Sequence, residues 1–343
     1  MGKPFFSVII PTFNSAPYIE RLLDSIVAQN DPDCEVVVCD DYSTDNIEQL
    51  VRGYEDRLKI VFFKRPGGYR EHCPGNTRRE GQKKAKGEWI TFVDHDDELA
   101  PDAFKNVREI LNDPEHPEKQ MLICGSFIQV QEDGTEKSPE EGITWLHGRF
   151  YRKSFLEKYG IEFKPDLKAN EDLYFNTLVQ GALAGNDLPY VVLNKVLYRW
   201  HARGESFSHQ LSEDGKRDYL ERFFGDYVFA VTEGWFEGLE KYPKKIEYFQ
   251  QRLLSSLLYC YFYYQAFLFK HGDDQLPQNM LYIGDFYKRL CQVFSCRAND
   301  IIMWGYQNPK VYNEVRRSAI VSSVGEIIEA NSFIDFVKIL AIM

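Results

Sequence analysis

FFSVIIPTFNSAPYIERLLDSIVAQNDPDCEVVVCDDYSTDNIEQLVRGYEDRLKIVFF, residues 5–63, alternates apolar runs with amphipathic ones. FFSVII (5–10) shows no polar alternation, which is the pattern of a strand buried on both faces. PTFNSAP breaks it. YIERLLDSIVAQ then places Ile19, Leu22, Leu23, Ile26 and Val27 on one helical stripe. CEVVVCDD is a second buried strand, ending in acids. STDNIEQLVRGYED reads as a second helix with Ser43 or Thr44 as its N-cap. LKIVFF is a third strand. Strands joined through helices run parallel, so the expected fold class is α/β, with a mostly parallel, Rossmann-like central sheet flanked by helices.

The rest of the chain extends this plan. KRPGGYREHCPGNTRREGQKKAKGE (64–88) is a basic loop. WITFVDHDD (89–97) is a fourth strand, followed by a helix near APDAFKNVREIL with Pro101 at its first position and Asp102 in its first turn. QMLICGSFIQV and the segment after the Asp-Gly turn of QEDGTEK predict a hairpin. RFYRKSFLEKYG and NEDLYFNTLVQGALAG read as helices, and LPYVVLNKVLYRWH as a strand pair or one long strand. Beyond about 210 the pattern is helical and rich in Tyr and Phe. With 343 residues there is room for two domains. The predicted division is 1–208, with halves of about 1–100 and 101–208, and an α-helical, aromatic-rich region over 209–343.

Composition narrows the function. A net charge of −11 argues against broad nucleic-acid binding. The seven cysteines are odd in number and lack any C-x-x-C pair, so reduced thiols of a cytoplasmic protein are expected. MGKPFFSVII enters a strand without the h-region of a leader. LLSSLLYCYFYYQAFLF (253–269) is 17 residues without a charge, just short of a spanning helix, and is expected to be buried or interfacial.

Ligands of a parallel sheet gather at the carboxyl ends of its strands. Here those ends read PTFN, Asp40–Asp41 and Asp94–His95–Asp96–Asp97. Acids that cap a helix would explain Asp102, yet Asp94 and Asp96 lie too far upstream to cap it. In extended chain, residues two apart share a side, so Asp94 and Asp96 would present two repelling carboxylates together. A divalent cation removes that penalty, and oxygen ligands suit Mg2+ or Mn2+ completed by substrate phosphates. Residues 57–86 carry ten Lys/Arg against two acids, and Arg78 is the candidate to face a phosphate.

FSVIIPTFN, VVVCDDYSTD, KAKGEWITFVDHDD and NEDLYF occur in the order and rough spacing of family 2 glycosyltransferases, which the chain resembles over about residues 4–205. The resemblance implies a GT-A fold over 1–208 and inverting transfer from a nucleotide-activated sugar, a UDP-sugar above all. Acceptor would be a hydroxyl, as in a cell-surface glycan or polysaccharide precursor. It places Pro11, Thr12 and Asn14 along the nucleoside pocket, with Asp41 on the uracil imide. Arg78 falls in an A-R-N-x-G-like segment that here reads TRREG. DHD takes the place of the DxD motif: Asp96 is the direct metal ligand, Asp94 lies nearer the sugar or ribose, and His95 faces away. Asp172 of NEDLYF would be the catalytic base, with Glu171 orienting it or contacting the acceptor. Inversion is a single displacement, so one base must take the acceptor proton. His201, in YRWHARGESFSH, would close over the diphosphate or join the metal shell. Trp145 and His147 fall where relatives border the acceptor.

The aromatic helices beyond 209 are expected chiefly to pack a core, with a homo-oligomer contact or a peripheral contact at the inner membrane face as alternatives. A nucleotidyltransferase would need a glycine-rich loop where PTFNSAP stands. A non-catalytic scaffold has no use for Asp41, Asp94, Asp96 and Asp172 together. The same chemistry on a protein or modified nucleic-acid acceptor is a further alternative, although the acidic balance disfavours nucleic acid.

Overall fold

The computed structural model describes residues 2–67, 72–114, 120–138, 145–203, 213–271, 307–310 and 314. The chain divides into two compact units, Met1–Lys216 and Arg217–Met343.

The first unit opens with β1 (Phe6–Thr12), α1 (Ile19–Val27), β2 (Cys34–Asp40), α2 (Ile47–Arg52) and β3 (Lys59–Lys64). α3 (Pro74–Lys84), β4 (Trp89–Phe92), β5 (Glu98–Leu99), α4 (Ala103–Asn112), β6 (Leu122–Val130) and β7 (Glu136–Lys137) follow. β8 (Arg149–Arg152), α5 (Lys153–Tyr159), α6 (Glu171–Gly185) and β9 (Val191–His201) complete it. The strands form one sheet in the order β3-β2-β1-β4-β8-β6-β9-β5, with β7 on β6. β3, β2, β1 and β4 are parallel, as the βαβαβ pattern requires. Beyond β4 the sheet is mixed: β8 is antiparallel to β4 and β6, while β6 and β9 are parallel.

The apolar runs are continuous because both faces are covered. Val8, Ile10, Val36 and Val38 point into a cluster with Ile19, Leu22, Leu23 and Phe104 of α1 and α4. Their alternates Ile9, Val37, Ile90 and Phe92 pack the opposite face with Phe155 and Phe175 of α5 and α6. The β6–β7 hairpin forms at the predicted Asp-Gly turn, where Gly134 takes φ +80.

Four local expectations are corrected. The segment 64–88, read as a basic loop, contains the helix α3, Pro74–Lys84. α2 starts at Ile47, because the Ser43 hydroxyl turns back to donate to the Asp40 carboxylate at 2.5 Å instead of capping a helix. α4 starts at Ala103 with Asp102 in the left-handed region, and the Phe104 N–H is satisfied by Gln29 Oε1 at 3.1 Å. RFYR, read as helical, is β8, since it fills the gap between β4 and β6. LPYVVLNKVLYRWH forms the single long strand β9.

After the sheet in sequence, α7 (Glu213–Lys241) and α8 (Ile246–His271) are joined by a 3-10 turn at Pro243–Lys245. α8 buries Phe249, Leu253, Leu254, Leu257 and Cys260, the core role expected of it. No helix among the described residues is long and apolar enough to cross a membrane. The tail FIDFVKILAIM, Cys291 and Cys296 lie outside the described residues; Cys34, Cys39, Cys73, Cys124 and Cys260 are free thiols.

α3 reaches the sheet through Gly81, where an added Cβ would lie 2.5 Å from Ile9 Cγ2. Ile9 is fully buried between β2 and β4, so it has no room to yield. Gly81→Ala is expected to cost about 1–3 kcal/mol, read as a lowered denaturant midpoint at unchanged m-value; an unchanged midpoint would show that α3 is not seated by this contact.

Candidate active site

The polar strand ends meet at one edge of the sheet. Thr12 ends β1, and its carbonyl accepts the Asp41 N–H at 2.8 Å, fixing the acid that follows β2. Asp41 is buried, with Arg65 Nε 2.6 Å from Oδ1 and His72 Nδ1 3.3 Å from Oδ2. Arg65 is buried as well, and its second terminal nitrogen has no hydrogen-bond partner among the described residues. Asn14 plays a local role. Its side-chain oxygen accepts the Thr44 N–H at 2.9 Å, and its own N–H donates to Ser43 Oγ at 2.9 Å, so it staples the loops after β1 and β2. Pro11 offers its carbonyl to His95 Nδ1 at 3.3 Å.

Arg78 is the hub of the site. α3 begins with Pro74 at its first turn, and at Gly75 it approaches Glu171 so closely that a Cβ would lie 3.0 Å from the Glu171 Cβ. Arg78, one turn on, is buried and donates to Glu171 Oε1 and to Asp94 Oδ1, each at 2.5 Å. The two acids come from opposite halves of the unit. Burial works against the charged form of Asp94, but Arg78, helped by His147, outweighs it and holds the carboxyl below the usual range. Asp172, next to Glu171 in the first turn of α6, goes the other way. Burial first, then the Glu171 charge, push it up to about 7 against the pull of Arg78. Its Oδ1 accepts the Leu173 N–H at 2.7 Å.

The DHDD segment is a turn. β4 stops at Phe92, and the Asp97 N–H bonds the Asp94 carbonyl at 3.1 Å, so the two-residue alternation of an extended chain does not apply. Asp94 therefore faces Arg78, while the Asp96 carboxylate pairs with Arg203, whose guanidinium lies 4.1 Å from the Tyr18 ring. His201 does not join Asp94 either: its Nε2 lies 2.7 Å from Glu98 Oε2. The expected metal set Asp94, Asp96 and His201 is thus not assembled in the structure. Ligand atoms of Asp94, Asp97 and His147 do gather, all within 4.8 Å of one another. Asp97 is buried and takes the Tyr198 hydroxyl at 2.5 Å and the His201 N–H at 2.8 Å. Burial, with Asp96 and Asp94 nearby, raises its pKa well above the ordinary value. Burial lowers His147 to about 4, leaving the ring neutral.

Arg65, His72 and Asp97 carry no weight in a motif reading. Arg65 directly follows β3, so the rule that ligands gather at strand ends was the available signal. His72 lies in a loop without periodicity and gave none.

Comparison with known proteins places this geometry. Residues 7–167 match the family model described as Glycosyl transferase family 2. The poly(ribitol-phosphate) beta-N-acetylglucosaminyltransferase TarS of Staphylococcus aureus is 32% identical over 221 residues, 59% of this chain and 37% of the relative. The GalNAc(5)-diNAcBac-PP-undecaprenol beta-1,3-glucosyltransferase of Campylobacter jejuni is 35% identical over 185 residues, 50% of this chain and 57% of the relative. The match thus spans about a third to somewhat over half of these relatives' length. The crystal structure of S. aureus TarS 1-349 in complex with UDP-GlcNAc superposes with a TM-score of 0.65 at 23% identity, covering 94% of each chain, which shows a shared fold. Residues 7–167, which hold the strand ends, Arg78 and the DHDD turn, are thus similar to glycosyl transferase family 2.

Proposed function

We propose that this protein transfers a sugar from a UDP-sugar to a hydroxyl acceptor with inversion, Asp172 acting as base. The observation that carries the reading is the pairing of Arg78 with Asp94 and Glu171, beside an Asp172 raised to about 7. A carboxylate poised near neutral pH accepts the proton of an attacking hydroxyl without being too weak a base. Arg78 holds Glu171 beside Asp172, where its carboxylate adds to the effect of burial in raising Asp172.

At the donor end, Pro11, Thr12 and Asp41 form the nucleoside side of the pocket. Arg65 and His72 occupy one lone pair on each Asp41 oxygen and leave others to accept an imide N–H. Oxygen donors from Asp94 and Asp97 with a neutral imidazole at His147 fit a divalent cation such as Mn2+ or Mg2+, and among the described residues the buried His147 Nδ1 has no hydrogen-bond partner. Asp96 is a candidate to join once released from Arg203. When bound, such a cation supplies positive charge to the departing diphosphate. The names of the two relatives favour UDP-N-acetylglucosamine or a UDP-hexose as donor, and a cell-surface glycan or its precursor as acceptor. The free thiols agree with a cytoplasmic setting.

A thermal-shift screen of nucleotide sugars with Mn2+ tests the donor: stabilisation by UDP-sugars is expected, and indifference to all of them would leave only a scaffold on this fold. Asp172→Asn is expected to lower turnover by about 10²–10⁴-fold while donor binding stays near wild type; equal loss of both would remove the base assignment.

The pH profile follows from the raised pKa. The base must be ionised, so turnover should fall about tenfold per unit below pH 7 and level off above it. A rate flat between pH 5 and 8 would contradict the assignment. Arg78→Gln strips the buried partner from Asp94 and Glu171. Because Asp94 keeps 34% side-chain exposure, the expected cost is about 3 kcal/mol, at the low end for a broken buried pair. Urea unfolding measures it, and a loss under about 0.5 kcal/mol would show the clamp to be superficial.

A further inference from the structure

We propose that His147 is a nitrogen ligand of the active-site cation, in the position that the family resemblance gives to His201, and that it makes the site prefer Mn2+ to Mg2+. The inference rests on the transferase reading and adds the ligand set and the metal to it.

Four observations carry it. A ring nitrogen of His147 lies within 4.8 Å of ligand oxygens of Asp94 and Asp97, which are themselves that close to each other. Its Nδ1 is shut off from solvent and has no hydrogen-bond partner among the described residues. Buried polar atoms are rarely left so, since an unmade bond costs free energy that a ligand recovers. The ring is also held in place. It lies nearly parallel to Trp200 at 5.7 Å and 19°, with Tyr198 at 4.6 Å and Phe127 at 5.0 Å. The backbone is shaped to bring it there. Gly148 takes φ +69, where a Cβ would lie 3.0 Å from the Gly125 carbonyl oxygen, and β6 shifts register at Gly125–Phe127.

The other candidates are engaged elsewhere. His201 Nε2 is on Glu98, and the Asp96 carboxylate is on Arg203. Asp94 Oδ1 takes Arg78, and no hydrogen bond occupies its Oδ2 among the described residues. Each Asp97 oxygen accepts one hydrogen bond and keeps a lone pair. Mg2+ favours an all-oxygen octahedron, whereas Mn2+ takes imidazole nitrogen more readily. Two carboxylates and an imidazole therefore select the larger ion.

The test is a Mn2+ titration of the full chain with UDP present, followed by the EPR signal of the free ion. Wild type, His147→Ala, His201→Ala and Asp94→Ala are compared. His147→Ala should bind Mn2+ at least about tenfold more weakly, His201→Ala within about twofold of wild type. Mg2+ should also compete better against Mn2+ in His147→Ala than in wild type, a shift that loss of packing alone would not produce. Removing a ring from an aromatic nest also costs stability, so a second measurement keeps His147 in place. His201→Ala carrying 15N-labelled histidine should show a nitrogen coupling on bound Mn2+ by electron–nuclear double resonance. Wild-type affinity in His147→Ala, or no nitrogen coupling in labelled His201→Ala, overturns the ligand assignment. If Asp94→Ala still loses Mn2+ in that case, the transferase reading stands without it. A wild type that binds neither Mn2+ nor UDP overturns both.

Discussion

The site depends on one buried guanidinium. Arg78 spans Asp94, at the end of the parallel half of the sheet, and Glu171, at the start of α6 in the mixed half. Without the guanidinium the two acids would face each other as like charges, and without either acid part of the buried guanidinium would lose its partner. The pairing ties the two halves of the sheet together more specifically than apolar packing alone, because each ion depends on the others staying in place. The near contact of Gly75 with Glu171 and of Gly81 with Ile9 then reads as what α3 needs in order to carry Arg78 to that point.

The same hub divides the titration behaviour of neighbouring acids. Asp94, in direct contact with Arg78, stays ionised. Asp172 is pushed towards neutral pH by burial first and by the neighbouring Glu171 carboxylate second. Two carboxylates driven apart in this way is the arrangement expected where one stabilises charge and the other moves a proton. Asp97 shows a third outcome. Deep burial among acids raises it, and its oxygens tie the turn to β9 through Tyr198 and His201.

The parallel half of the fold was legible because burial on both faces writes continuous apolar runs into β1, β2 and β4, and the helices between them carry a 3.6-residue stripe. The hairpin was legible from its Asp-Gly turn. β8 was not. RFYR is too short to show a period, and its strand character comes from the gap between β4 and β6. Asp41, Arg78, Asp94 and Asp172 could be singled out from motifs and strand ends. The partners of Asp96 and His201 could not, because the turn at 94–97 breaks the alternation on which the reading of Asp94 and Asp96 relied. Arg203 and Glu98 reach them across the sheet edge, and no local pattern encodes such pairs.

The proposed transfer is a single displacement, which inverts the anomeric carbon. Stereochemistry tests it most directly, and water can serve as acceptor before the natural one is known. Proton NMR of the sugar first released from an α-linked UDP-sugar, recorded before mutarotation, should show the β configuration. First release of the α configuration would contradict the account.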